Sequence, residues 1–110
     1  MKLAIIGSRK ITNIEIEKYI PNEVDEIVSG GAKGVDSLAK DFAEKNGIKL
    51  TEFLPQYERY GRGAPIKRNQ EIAKYADQAL AFWDGQSKGT EYSINFFKKL
   101  GKQVIVVIIE

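Results

Sequence analysis

The stretch "SGGAKGVDSLA", Ser29 to Ala39, decides the fold. Three glycines fall in its first six residues, and a helical pattern starts directly after them. Val35, Leu38, Ala39, Phe42 and Ala43 stand at i, i+3, i+4, i+7 and i+8, which is one face of a helix. Gly47 is its stop. Just upstream, Glu26 to Ser29 ("EIVS") is a short strand candidate. The stretch is therefore a strand, a bare turn and a helix in succession. Glycine costs backbone entropy and buries nothing. Either the turn needs unusual dihedrals, or something comes very close to its backbone.

The same alternation extends outward in both directions. Leu3 to Ile6 is a strand candidate, followed by a short helix over Thr12 to Ile20. That helix has T-x-x-E capping-box spacing at Thr12 and Glu15, and Pro21 marks its end. Leu50 to Leu54 is a third strand, stopped by Pro55, and a long loop runs to Pro65. A helix over Ile66 to Ala76, a strand over Gln78 to Trp83 and a helix over Thr90 to Leu100 follow. Gln103 to Ile109 is the fifth strand, apolar on both faces as a buried parallel strand should be. Five alternations in 110 residues predict one α/β domain over 1–110: a three-layer, parallel five-stranded sheet with helices on both faces.

Ligands in such sheets bind beyond the carboxyl ends of the strands. Three glycine-bearing turns lie there: Gly7 to Arg9, Gly30 to Gly34, and Asp84 to Thr90. They form one site only if strands 1, 2 and 4 are neighbours. The order 3-2-1-4-5 achieves this, whereas 2-1-3-4-5 separates strand 4 from strand 1.

Composition narrows the chemistry. The chain has no cysteine and no histidine. Disulfides, thiolate metal sites and histidine-based triads are excluded, and neither a metal nor a resident cofactor is expected. With 17 basic and 15 acidic residues the charge is near balance, which does not announce nucleic acid. The apolar runs are too short for a signal peptide or a membrane span, so a cytoplasmic location and no membrane partner are the default expectation.

Each turn has a candidate role. Gly30, Gly31, Ala32, Lys33 and Gly34 open a helix, whose free amides and dipole favour an anion such as phosphate. Gly85, Ser87, Gly89 and Thr90 open another and add hydroxyl donors. Gly7, Ser8 and Arg9 complete the cradle. Asp36, in a first helical turn, suits a ribose hydroxyl or an ordered loop better than a phosphate. The motif is neither a Walker A loop nor G-x-G-x-x-G. Asn69 falls on the buried stripe with Ile72, Ala73 and Ala76, so it needs polar partners. Arg68 beside it is positioned to meet a phosphate. Trp83 is either core or the wall of a base pocket. The segment "YERYGRGAPIKRNQ" interleaves Tyr57 and Tyr60 with Arg59, Arg62, Lys67 and Arg68. It could track a single strand of nucleic acid or clamp one nucleotide.

Together "GSR", "SGGAKGVDSLA", "RN", "W-D-G-x-S-x-G-T" and "GKQVIVV" resemble the SLOG superfamily over nearly the whole chain. That group includes the DNA-processing protein DprA and the Lonely Guy (LOG) phosphoribohydrolases, and the likeness is to its small stand-alone, YspA-like branch. The resemblance implies a Rossmann-like fold that binds a nucleotide or nucleotide-derived ligand, with self-association as a homo-oligomer common. A sensor or ligand-binding module is the first expectation. A LOG-like hydrolase cleaving the N-glycosidic bond of a nucleoside monophosphate is the second, with Arg68 and Glu91 as its catalytic candidates and Asp84 or Asp36 as further carboxylates. Here Ser93 stands three residues beyond Thr90, where the LOG pattern has glutamate. Glu91 follows Thr90 directly, about 100° around the helix from it. DprA-like binding of single-stranded nucleic acid is the third.

Overall fold

The computed structural model describes residues 1–109. Five strands, Lys2–Gly7 (β1), Glu26–Ser29 (β2), Lys49–Glu52 (β3), Gln78–Trp83 (β4) and Val104–Ile108 (β5), form one sheet. All pairings are parallel and the order is β3-β2-β1-β4-β5, as the glycine turns require. The helices are Val35–Asn46 (α1), Tyr57–Tyr60 (α2), Ala64–Tyr75 (α3) and Lys88–Lys99 (α4).

Alternation along the central strands builds a core on each face. Leu3, Ile5, Ile27, Leu80 and Phe82 point to one side and meet Val35, Ala39 and Ala43 of α1. Ala4, Ile6, Val28, Ala79 and Ala81 point to the other and meet Ile72, Ala73 and Ala76 of the α3 region with Ile94 and Phe97 of α4. The second face is built largely from alanine, which lets two helices lie close to the sheet. Phe97 is fully buried, while its neighbour Phe96 is half-buried and stacks on Tyr92 with ring centroids 6.0 Å apart.

Several boundaries differ from the sequence reading. The helix expected over Thr12 to Ile20 is only a 3₁₀ turn, Ile16–Tyr19. The capping box does not form: Glu15 itself precedes the turn as its cap, and neither the Thr12 nor the Glu15 side chain makes a hydrogen bond among the described residues. Isoleucines at 11, 14 and 16 pack against the core one by one, and β-branched side chains disfavour a helix too short to propagate. The third strand ends at Glu52, and Leu54 turns out to solvent. The loop after Pro55 contains α2 and a 3₁₀ turn over Gly61–Gly63. The fifth strand is not buried on both faces. It is the sheet edge, its residues are partly exposed, and Ile108 is 56% exposed. No helix among the described residues is long and apolar enough to cross a membrane.

The far end of α3 is closed by a side chain. Lys102 donates to the carbonyl oxygens of Ala73 and Ala76 at 2.7 Å each and to Lys74 at 3.1 Å. An ammonium there satisfies terminal carbonyls and complements the negative end of the helix dipole. Charge-assisted bonds of this kind contribute about 1.5–3 kcal/mol. Lys102→Met is therefore expected to lower unfolding stability by about 1–3 kcal/mol in urea with an unchanged m-value; a loss below about 0.5 kcal/mol would mean that the carbonyls are equally well served by water.

Candidate functional site

The carboxyl ends of β1, β2 and β4 meet the first turns of α1, α3 and α4 around one cleft of about 230 Å³. Of the predicted positions it gathers Gly7, Ser8, Arg9, Gly30, Ala32, Asp36, Arg68, Asn69, Ser87, Gly89 and Thr90. Ile6, Pro65, Ile72 and Ser93 also line it. Ser93 carried a readable signal: a polar residue on the apolar stripe of α4, as Asn69 is on α3. Pro65 lies one turn before Asn69 on the same stripe of α3.

Arg68 holds the site together. Its side chain is buried, 8% exposed. Nη1 donates to the Gly30 carbonyl at 2.7 Å and, more weakly, to the Phe53 carbonyl at 3.5 Å. Nε donates to Asn69 Oδ1 at 2.8 Å, which accounts for the polar residue on that stripe. Nη2 donates to no group among the described residues. Since no buried side-chain nitrogen or oxygen among the described residues lacks a partner, Nη2 opens to solvent, and the cleft is the opening that Arg68 lines. Burial pushes its pKa down, opposed by the charge of Asp36 and by the Tyr57 hydroxyl. A guanidinium keeps its charge regardless.

Packing explains most of the bareness of the glycine turn. A Cβ on Gly30 would lie 2.5 Å from Arg68 Nη1 and 3.1 Å from Asp36 Oδ2. Gly34 has φ +71°, and a Cβ there would meet the backbone oxygens of Arg9 and Ser8 at 2.5 and 2.6 Å. A Cβ on Gly7 would strike Val35 and the Phe82 carbonyl. What approaches these glycines is the protein itself. The turn also uses its own amides. Gly31 N–H donates to Ser29 Oγ at 3.3 Å, Ala32 N–H to Asp36 Oδ2 at 3.0 Å, and Val35 N–H to the Ser8 carbonyl at 3.5 Å. Gly31, Lys33 and Gly34 lie outside the cleft lining.

The turn before α4 is different. Asp84 Oδ1 accepts from the amides of Gln86 and Ser87, both at 2.8 Å, and these bonds hold its pKa below the usual carboxylate range. Gly85 has φ +80° and serves the turn. Ser87 caps the helix, accepting from Thr90 N–H and donating to Thr90 Oγ1 at 3.2 Å. The Lys88 and Gly89 amides have no acceptor among the described residues. Gly89 has no positive φ and nothing within 4 Å of where its Cβ would sit, so neither strain nor packing requires a glycine there. Trp83 is half-buried and donates Nε1–H to the Ser87 carbonyl at 3.0 Å. It shapes this turn and does not line the cleft. Glu91 and Asp84 also lie outside the lining, which leaves Asp36 as its one carboxylate.

The cleft thus offers two arginines, the hydroxyls of Ser8, Ser87, Thr90 and Ser93, the Asn69 amide and one carboxyl, over a floor that includes Ile6 and Ile72. No family model, curated protein or solved structure matches the chain.

Asp36 yields a pH-dependent prediction. Burial raises its pKa above the ordinary 3.8, against the Ala32 amide, the Arg68 charge and the Ser29 hydroxyl, which act to lower it. The native state therefore holds this proton more tightly than the unfolded chain. The associated stability is complete below the ordinary value and is lost as pH rises through the native one. Asparagine keeps an acceptor for the Ala32 amide and carries no charge. Asp36→Asn should therefore gain on the wild type as pH rises from about 4 to 7 in parallel thermal melts. A variant that loses ground over this range would mean that the carboxylate is stabilised overall by Arg68.

Proposed function

We propose that this chain binds the ribose-phosphate end of a nucleotide or nucleotide-derived ligand in the cleft, as a sensor or ligand-binding module. The observation that carries this reading is the Arg68 guanidinium. It is locked by Gly30 and Asn69 and has one nitrogen left over, in the cleft that also holds Gly89, whose amide at the start of α4 has no acceptor among the described residues. Donors already fixed in place lose little freedom on binding, so an anion gains their full interaction. The phosphate belongs with Arg68, Arg9 and the α4 turn. The Gly30 to Gly34 turn positions Arg68, and two of its amides, those of Gly31 and Ala32, are already bonded. Asp36, whose carboxylate would repel a phosphate, suits a sugar hydroxyl. A cleft of about 230 Å³ is smaller than the roughly 300–1,000 Å³ of sites that enclose drug-sized ligands, which favours a sugar phosphate over a whole dinucleotide. The resemblance to the SLOG superfamily agrees with this reading.

Asp36 supports a second reading, hydrolysis of an N-glycosidic bond. It is a carboxyl of raised pKa inside the cleft, and such hydrolysis passes through an oxocarbenium-like state that a carboxylate can support. Glu91, the alternative carboxylate, is not among the cleft residues. The binding reading expects no free base when a nucleoside monophosphate is incubated with the protein and chromatographed. Released base that disappears in Asp36→Asn would move the assignment to the hydrolase.

Gly89 tests the site without disturbing the fold. Gly89→Val has room for its side chain and improves helix propensity, so its melting temperature should equal or exceed that of the wild type. A panel of nucleoside monophosphates and sugar phosphates should include one that stabilises the wild type, by about 2.7 kcal/mol at a hundredfold excess over Kd. That shift should vanish in Gly89→Val. A panel with no effect on the wild type, or an equal effect on both proteins, would remove the basis for the proposal.

A further inference from the structure

Eight of the cleft's fifteen lining residues have polar side chains, and the segment that borders it adds exposed apolar ones. Five large apolar side chains stand exposed among the described residues: Leu54, Tyr57, Ile66, Leu100 and Ile108. Leu100 and Ile108 belong to the end of α4 and to the edge strand. The other three lie on the segment that borders the cleft. Leu54, 60% exposed, lies so close over Gly31 that a Cβ on that glycine would meet its Cδ2. Tyr57, 55% exposed, starts α2, four residues after Phe53, whose carbonyl accepts from Arg68. Ile66 follows Pro65, a cleft residue.

The two tyrosines of this segment are not equivalent. Tyr60 already has cations on its ring, with Arg59 at 5.1 Å and Lys67 at 5.7 Å from the centroid. The Tyr57 ring has neither an aromatic nor a cationic neighbour among the described residues. An exposed aromatic face without such a neighbour is a stacking surface for a flat heterocycle, and Leu54 stands exposed three residues before it. The cleft volume suits a sugar phosphate, so the remainder of a nucleotide has to lie at the rim.

We infer that Leu54 and Tyr57 form the seat of the ligand's aromatic base, with the Tyr57 ring as its stacking surface and the sugar phosphate in the cleft beside Arg68. This rests on the sugar-phosphate reading of the cleft and adds the class of the rest of the ligand. Tyr57 would act as a specificity-determining residue: it separates nucleotides from bare sugar phosphates.

Titration calorimetry with ribose 5-phosphate and with AMP and GMP tests this directly. The wild type should bind at least one of the purine nucleotides about tenfold or more tightly than ribose 5-phosphate, the lower part of what one base–aromatic stack supplies. Tyr57→Ala, at an exposed position, should fold normally, bind ribose 5-phosphate as the wild type does and lose most of the nucleotide preference. Tyr57→Phe should keep it. Equal wild-type affinity for ribose 5-phosphate and the nucleotides would overturn the base seat and leave the sugar-phosphate cleft standing. So would a Tyr57→Ala variant that weakens all ligands alike, which would mean that the tyrosine acts through Arg68. Failure of the wild type to bind any of the three would overturn both proposals. An oligonucleotide bound far more tightly than any mononucleotide, with a steep salt dependence, would assign the shelf to a nucleic-acid strand and overturn the inference.

Discussion

A single buried cation sets the geometry of this molecule's carboxyl edge. The Arg68 guanidinium reaches from α3 to the Gly30 carbonyl beyond β2 and to the Phe53 carbonyl beyond β3. It thereby ties a helix on one face of the sheet to two strand ends. A charged group this deeply buried persists only when its donors are matched. Carbonyl oxygens and Asn69 supply most of that match, and Asp36 supplies opposite charge at long range, since no Arg68–Asp36 ion pair lies within 4.0 Å. The incomplete match leaves Nη2 without an acceptor among the described residues, on a side chain that lines the cleft. A feature that orders the fold and a feature that invites an anion are here the same side chain.

The glycine turns divide accordingly. At Gly7, Gly30 and Gly34 the missing side chain makes room for Val35, for Arg68 and for the backbone of Ser8 and Arg9. These contacts draw the three strand ends together and set the cleft's size. At Gly89 the missing side chain makes room for nothing in the protein. One half of the site is therefore scaffold and the other half is available surface. This division moves the expected anion from the most glycine-rich turn to the one that begins α4.

The sequence carried the fold well because its signals were periodic and local. The i, i+3, i+4 pattern of α1, the apolar runs of the central strands and the glycine stops all survive in the structure. The order β3-β2-β1-β4-β5 followed from requiring the glycine turns to share an edge. Where the reading failed, tertiary context had outweighed a local signal. Thr12 and Glu15 have capping-box spacing, yet the surrounding isoleucines are held separately by the core. β5 reads as a doubly buried strand, but composition alone cannot tell an edge from a centre. The site was legible as a set of turns, and Asn69 and Arg68 were legible as polar residues out of place. Which amides were already engaged was not legible, because a bond such as Ala32 N–H to Asp36 depends on the turn's path and not on residue type. Trp83 was ambiguous for the same reason until its bond to the Ser87 carbonyl fixed its orientation.

The central claim is that the unpaired donors of Arg68 and of the α4 turn form one anion site. The most direct measurement is a nitrogen-15 NMR titration of the labelled protein with ribose 5-phosphate, following backbone amides and the Arg68 Nε–H. Saturable shifts are expected to be largest at the Lys88, Gly89, Ser8 and Arg9 amides, with the Arg68 Nε–H responding through the shared guanidinium and small changes at Gly31 and Ala32, whose amides are already bonded. Shifts confined to Lys33 and scattered surface lysines, with Gly89 and Arg68 unmoved at saturating ligand, would contradict it.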